Sequence, residues 1–457
     1  MAVSFVGTLA AILVMLGFVR PMIKMVARHV IRLLMTEPYQ QSLMEMASAM
    51  TRMPPLTIME NSMRAETGNV IKRTFGSPRK FLGFDGLMFI PAQLAKLPAE
   101  DLESIDTRVI IGPCAAKPLT LDIPILIGAV GYGVAVSEKF KIAMAKGAAA
   151  AGTATNVGEG AFLPEERALA KHLIVQYTKS KWNKAPHVVK QGDAVEIHFG
   201  QGATVSMPVT IAAEEVEGRA REILGLAPGE NGYTPSRHPE MKQPEDLREM
   251  VKYLRQLTRG VPIGIKLAAS HMLEKDLEIA VLSEVDFISL DGSIAGTRGG
   301  PPILEDDFGL PSVYAIPRAV KYLRDRGVKD RISLLVGGGF FTPGQILKAL
   351  ALGADAVYMA TAPIWAMTHT QVNKTIPFEP PTNLVMYNAP QSEEFDVEEG
   401  AYYLRNFLKS CTEEIKVAVL ALGKTAVRDV DASDLVALDE WTSKVTGVPL
   451  ANQPYSP

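Results

Sequence analysis

The chain predicts an α/β fold, a parallel (β/α)8 TIM barrel, and three observations carry that prediction. Eight short apolar runs recur between Ile123 and Ala362, several of them ending in glycine, and most are separated by stretches of helical periodicity. The last two runs, LLVGGGFFTPGQI (Leu334 to Ile346) and ADAVYMATAPI (Ala354 to Ile364), pass from strand to glycine or small residues and then to a helix start. In such barrels the loops after the final strands and a following helix N-terminus hold phosphate, and function sits at strand C-terminal ends.

Taken in order, Ala2 to Val19 is an uncharged apolar run of about 18 residues, near the lower limit of about 17–25 for a spanning helix. Positive charge follows it at Arg20, Lys24, Arg28 and Arg32, the reverse of a secretory signal. Residues 1–36 therefore read as an N-terminal membrane-anchor helix, with an amphipathic surface helix or a docking helix as alternatives, and Pro21 argues against one straight rod. The positive-inside rule puts the body on the cytoplasmic side of an inner membrane. Residues 37–117, broken by Pro54, Pro55, Pro78, Pro91 and Pro98 and helical only over Gln40 to Met50, read as an irregular wrapping segment.

Residues 118–370 supply the barrel. Its strands are expected in IPILIGAVG (Ile123 to Gly131), AGTATNVGEG (Ala151 to Gly160), HLIVQY (His172 to Tyr177) and AVEIHFGQGA (Ala194 to Ala203). The series continues with PIGIKLA (Pro262 to Ala268), DFISLDG (Asp286 to Gly292), ISLLVGGG (Ile332 to Gly339) and AVYMATA (Ala356 to Ala362). Helices fall at Lys139 to Ala150, Pro244 to Leu257 and Ser312 to Arg326. In the C-terminal extension, 371–457, Pro377 to Glu393 reads as extended, Glu398 to Leu422 as a helix and Ser433 to Val445 as a short capping helix.

Charge is nearly balanced, 47 Lys plus Arg against 50 Asp plus Glu, so no nucleic-acid surface is expected. Two cysteines, Cys114 and Cys411, exclude a disulfide scaffold, a cysteine-rich zinc site and a self-contained iron–sulfur cluster. No His, Cys or carboxylate spacing resembles a metal site.

Four features carry chemistry. Gly337 to Gly339 with Thr342 and Pro343 make either a tight strand-to-helix turn or a phosphate nest, and the MATA run favours phosphate. Lys266 interrupts an apolar strand, where an unpaired ammonium costs several kcal/mol, so it meets an anionic ligand or pairs with Asp291 or Glu159. Gln176 and Gln201 also interrupt apolar strands and suit hydrogen bonds to a heterocycle. Glu159, between glycines at a strand end, suits proton transfer or ordering of a cation, or is a solvated loop acid.

With these motifs the chain resembles the FMN-binding synthase domain of glutamate synthases, above all the short single-domain members, from about Pro118 to Met367 and more weakly to about Leu422. The resemblance rests on TNVGEG, GQGA, PSRHPEMKQPEDL, IGIKL, LDGSIAGTRGGP and VGGGF…GADAVYMATA, in the family's order. It implies an FMN site formed by Ala129, Asn156, Gln176, Lys266, Asp291, Gly292, Gly338, Gly339, Ala360 and Thr361. Lys266 would stand by the flavin and Glu159 by the substrate, these two being the catalytic pair. Ammonia would add to 2-oxoglutarate and a hydride from reduced FMN would give glutamate, with Gln201, Arg298 and Arg237 binding substrate.

Departures from the family pattern are equally specific. THTQVNKTIPFEPPT replaces the cysteines that follow the barrel in full glutamate synthases, no N-terminal nucleophilic cysteine is present, and TVSMPV replaces the lysine and glycine-rich loop after GQGA. Arg298 stands where the family has glycine. Electrons are thus expected from a separate donor protein, and nitrogen as free ammonia or from a glutaminase partner. The rival readings are an FMN barrel oxidoreductase or isomerase acting on another small carboxylate or amine, and a noncatalytic barrel subunit of a membrane complex.

Overall fold

In the computed structural model of the protein, which describes residues 2–42, 44–377 and 380–454, the recurring apolar runs form one parallel eight-stranded sheet. In chain order the strands are β1 (Ile125–Ile127), β2 (Ala154–Asn156), β3 (His172–Tyr177), β4 (Ala194–His198), β5 (Ile263–Ala268), β6 (Phe287–Asp291), β7 (Ser333–Gly337) and β8 (Ala356–Met359). Their Ile, Val and Leu side chains are buried almost throughout, as expected of strands covered on both faces.

The hydrogen-bonded order is β1-β8-β7-β6-β5-β4-β3-β2, so from β2 to β8 each strand pairs with its neighbour in sequence, β8 returns to pair with β1, and the sheet curls into a nearly closed TIM-like barrel. Among the described residues no ladder joins β1 to β2. That seam is bridged instead by the Thr153 hydroxyl, which donates to the Ile125 carbonyl, and by the Asp122 amide, 3.0 Å from the Gly152 carbonyl.

The β-hairpin Val109–Ile111 with Leu119–Leu121 closes the N-terminal end of the barrel. A Cβ on Gly112 in this hairpin would stand 2.7 Å from Pro262, at the start of β5, and 3.1 Å from Asp286, before β6. The C-terminal helix Val397–Ala421 packs on the helix Glu138–Ala150 through Gly147, where an added Cβ would meet Leu404 at 2.8 Å.

The chain divides into two compact units, Met1–Ile71 and Lys72–Pro457. The first holds the helices Ala2–Thr36, Met44–Arg52 and Pro55–Thr67. The membrane-anchor expectation, and with it the inner-membrane location with a cytoplasm-facing body, is corrected here: among the described residues no helix is long and apolar enough to cross a membrane. Cations at Arg20, Lys24, Arg28 and Arg32 recur about once per turn of the same helix and end the apolar run within it. The side chains of residues 2–16 lie outside the described residues.

Three stretches differ from the sequence reading. Pro54 and Pro55 start a helix rather than break one, because proline at N1 has no amide to leave unpaired. The stretch 377–393, expected to be extended, contains the helix Pro380–Val385 and the turn Ser392–Glu394, while Phe378 and Glu379 lie outside the described residues. Ser433 to Val445 is interrupted by the strand Leu435–Ala437, which pairs antiparallel with Leu87–Phe89, and its helix begins only at Glu440 with Asp439 as cap.

Candidate functional site

A cavity of about 280 Å³ opens where the barrel strands end. Its wall includes Ala129, Gly131, Glu159, Gln176, Gln201 and Arg298, and Ala360 and Thr361 bring the N-terminus of the helix Thr361–Thr368 to its edge. Helix N-termini present unpaired amides and partial positive charge, which suits an anion.

Beneath the cavity lies a buried polar layer. Glu196 of β4, 0% exposed, accepts hydrogen bonds at Oε1 from Asn156 Nδ2 (3.0 Å) and Gln176 Nε2 (2.9 Å). Its Oε2 accepts from the Ser289 hydroxyl at 2.5 Å and the Tyr358 hydroxyl at 3.4 Å. Such a carboxylate is affordable inside a protein because nearly every lone pair is occupied.

Lys266 Nζ stands 3.2 Å from Asp291 Oδ2 and 5.4 Å from the centre of the Tyr358 ring. Of the partners considered from sequence, the contact made is with Asp291. Burial drives the ammonium toward neutrality, but Asp291, Glu196 and Glu159 together outweigh burial and hold its pKa above the ordinary lysine value.

Glu159 follows β2, and Gly158 and Gly160 set its position. Gly158 has φ +71°, and a Cβ there would stand 2.7 Å from the Gly131 amide, so the loop interlocks with the one after β1 only as glycine. The carboxylate reaches His198, with Nδ1 to Oε1 3.0 Å, and Lys179 and His238 complete its surroundings. Burial raises its pKa, yet His198 foremost, and then Lys179, more than offset this and leave it below the usual carboxylate value.

The other expected residues are placed less uniformly. Gly338 and Gly339 have φ of +91° and +87°, and a Cβ on Gly338 would stand 2.8 Å from the Gly292 carbonyl oxygen, so both turn against the loop after β6. The adjoining helix Pro343–Ala351 caps itself, since Gln345 Oε1 accepts from the Phe341 amide at 2.8 Å and the Thr342 amide at 3.2 Å. Arg298 is half-buried, donates to the Val134 carbonyl and has its pKa lowered by burial. Arg237 is exposed and does not line the cavity.

Three residues of the site escaped the sequence reading, namely Glu196, His198 and Tyr358. The first two carry the signal that singled out Lys266, an ionisable residue within an apolar strand. Alternation would also have placed Glu196 and His198 on one face of β4.

A family model described as a conserved region in glutamate synthase matches residues 83–425. A glutamate synthase large subunit-like protein of Rhizobium meliloti (strain 1021) is 30% identical over 420 residues, 88% of this chain and 95% of the relative. An archaeal-type glutamate synthase [NADPH] of Thermotoga maritima is 27% identical over 418 residues, 86% of this chain and 82% of the relative. Among solved structures, a mandelate oxidase variant with a monooxide FMN adduct is 19% identical, covers 75% of this chain and 86% of its own, and gives a TM-score of 0.47.

Proposed function

The chain belongs to the glutamate synthase family, and from that premise we propose that this FMN-type barrel oxidoreductase aminates 2-oxoglutarate reductively to glutamate. The observation that carries the proposal is the stacking of three charges at one barrel mouth: buried Lys266 below the cavity, Glu159 in its wall and Arg298 on another side.

The residues present fit FMN. The cavity is bordered by a helix N-terminus for the phosphate at Ala360 and Thr361, and by Ala129 and Gln176 where a planar ring system can lie. Gly338, Gly339 and Gly292 would shape the loops around the cofactor. Asn156 and Asp291 would act from below, through Glu196 and Lys266. When bound, FMN supplies two-electron hydride chemistry.

The protein groups have separate tasks. Lys266, fixed by Asp291, places positive charge under the site and stabilises negative charge that develops there. Arg298 and Gln201 orient the keto acid, the guanidinium taking a carboxylate. Glu159 holds or moves a proton at the nitrogen being added. The electron donor is a separate protein, and nitrogen arrives as ammonia, free or from a partner glutaminase.

The test is direct. Holoenzyme reduced without oxygen should be reoxidised only when 2-oxoglutarate and ammonium are both present, with glutamate formed in equal amount. Flavin that stays reduced with both compounds present rules out this substrate pair.

A further inference from the structure

The polar groups around Glu159 are not equivalent. His238 Nε2 lies 3.0 Å from the His198 carbonyl oxygen, an acceptor only, so that nitrogen carries its proton and donates. The His238 ring is stacked on Tyr177, and burial, aided by the Lys184 charge, lowers its pKa to about 4, which leaves it neutral. Lys179 is buried, and its Nζ donates to the Phe199 carbonyl at 3.3 Å.

His198 differs from both. Its side chain is 2% exposed, Nδ1 stands 3.0 Å from Glu159 Oε1 at ion-pair distance, and neither ring nitrogen has a partner in hydrogen-bond geometry among the described residues. Parallel pairing puts it beside Lys266 on β5, two residues above Glu196 on its own strand. The charged and titratable groups around it are therefore Glu159 from the loop after β2, Lys179 after β3, Glu196 on β4, Lys266 on β5 and His238.

We propose that His198 is a positioning residue that carries the positive charge holding Glu159 as a carboxylate, so that the site's base is ready to take a proton when a nitrogen nucleophile arrives. This rests on the reductive-amination reading given above. As ammonia attacks the keto carbon, the C–N bond forms, the carbonyl π pair moves to oxygen, and a proton leaves nitrogen for Glu159, which passes it to that oxygen to give a hydroxyl. Glu159 then takes a second proton from nitrogen and delivers it to the hydroxyl as the C–O bond breaks, water leaves and the nitrogen lone pair closes the C=N bond. A protonated Glu159 could not begin this cycle, and burial pushes it toward the protonated form.

The test uses full-length holoenzyme with ammonium chloride and 2-oxoglutarate, and the unloaded protein labelled with carbon-13 at glutamate carboxyls. The Glu159 resonance is the one missing from Glu159→Gln. In His198→Asn its titration midpoint should rise by about one to three pH units, as expected on losing an opposite charge within hydrogen-bond reach. The acid limb of the kcat/KM profile should rise with it. His198→Lys, which retains a cation, should restore both.

An unmoved carboxyl midpoint in His198→Asn overturns the proposal, as does failure of His198→Lys to restore it. Should His198→Asn not fold, nitrogen-15 spectra of the histidine-labelled unmutated protein decide, because a neutral His198 ring at neutral pH also overturns it. Absence of glutamate from the unmutated enzyme would defeat the amination reading while the carboxyl titration still judged the pair.

Discussion

Lys266 is a buried cation whose charge must be balanced inside the fold. Its ammonium is countered by Asp291 at 3.2 Å and by the Glu196 carboxylate, both inside the barrel. Lys266→Met leaves two buried carboxylates without their cation, a loss expected to cost about 3–5 kcal/mol. Urea unfolding should show that loss, and flavin content should fall. Lys266→Met combined with Asp291→Asn should recover much of the stability and none of the flavin; recovery of flavin as well would show that Asp291, rather than Lys266, governs cofactor binding. Lys266 was legible in the sequence because a lone cation in an apolar strand is physically costly. The Glu159–His198 contact was not, because it joins the ends of β2 and β4 across the barrel mouth and depends on loop geometry that no local pattern encodes.

At the scale of elements, β2 is held from behind by an ion pair sealed from water. Lys141 Nζ lies 2.7 Å from Glu166 Oε1 and donates to the Asn156 carbonyl at 3.0 Å, with both side chains 0% exposed. Burial pushes Lys141 down and Glu166 up, and each partner opposes that drift in the other. Lys141→Met should lower unfolding free energy by about 3–5 kcal/mol in urea titration, since Glu166 then remains buried and unpaired. Lys141→Met with Glu166→Leu should regain most of it. The strands themselves were readable: HLIVQY and the apolar runs around it locate β3 to β8 to within a few residues, since β-branched residues and glycine stops are local signals. The strand Leu435–Ala437 was hidden, because its pairing partner Leu87–Phe89 lies at the other end of the barrel sequence and overrides local helical periodicity.

At the scale of the whole molecule, the segment from Lys72 to Gly76 laces one wall of the cavity. Arg73 exchanges backbone hydrogen bonds of 2.8 and 2.9 Å with Gly300, and its guanidinium reaches Glu305 at 2.7 Å and Asp306 at 2.6 Å. Burial raises the Glu305 pKa to about 7 even though Arg73 opposes it. A carboxyl with a folded-state pKa above its unfolded one, here 4.5, binds a proton more tightly when folded. Its contribution is therefore complete below about pH 4.5 and is lost as pH rises through about 7. Urea midpoints should fall over that interval by more in the unmutated protein than in Glu305→Gln; equal slopes would remove Glu305 as the cause.

The seam between β1 and β2 bears on how the scaffold's cavity can be enlarged. Ladders join all the other neighbouring strands, so widening the barrel there means breaking backbone pairs, whereas β1 and β2 are held by a threonine hydroxyl and by loop contacts. Gly131 and the Glu159 loop stand directly over that line. Selection for a bulkier substrate would accordingly find its shortest route through Thr153, Gly131 and Gly158, reshaping one side of the pocket while Lys266, Asp291 and Glu196 stay in place.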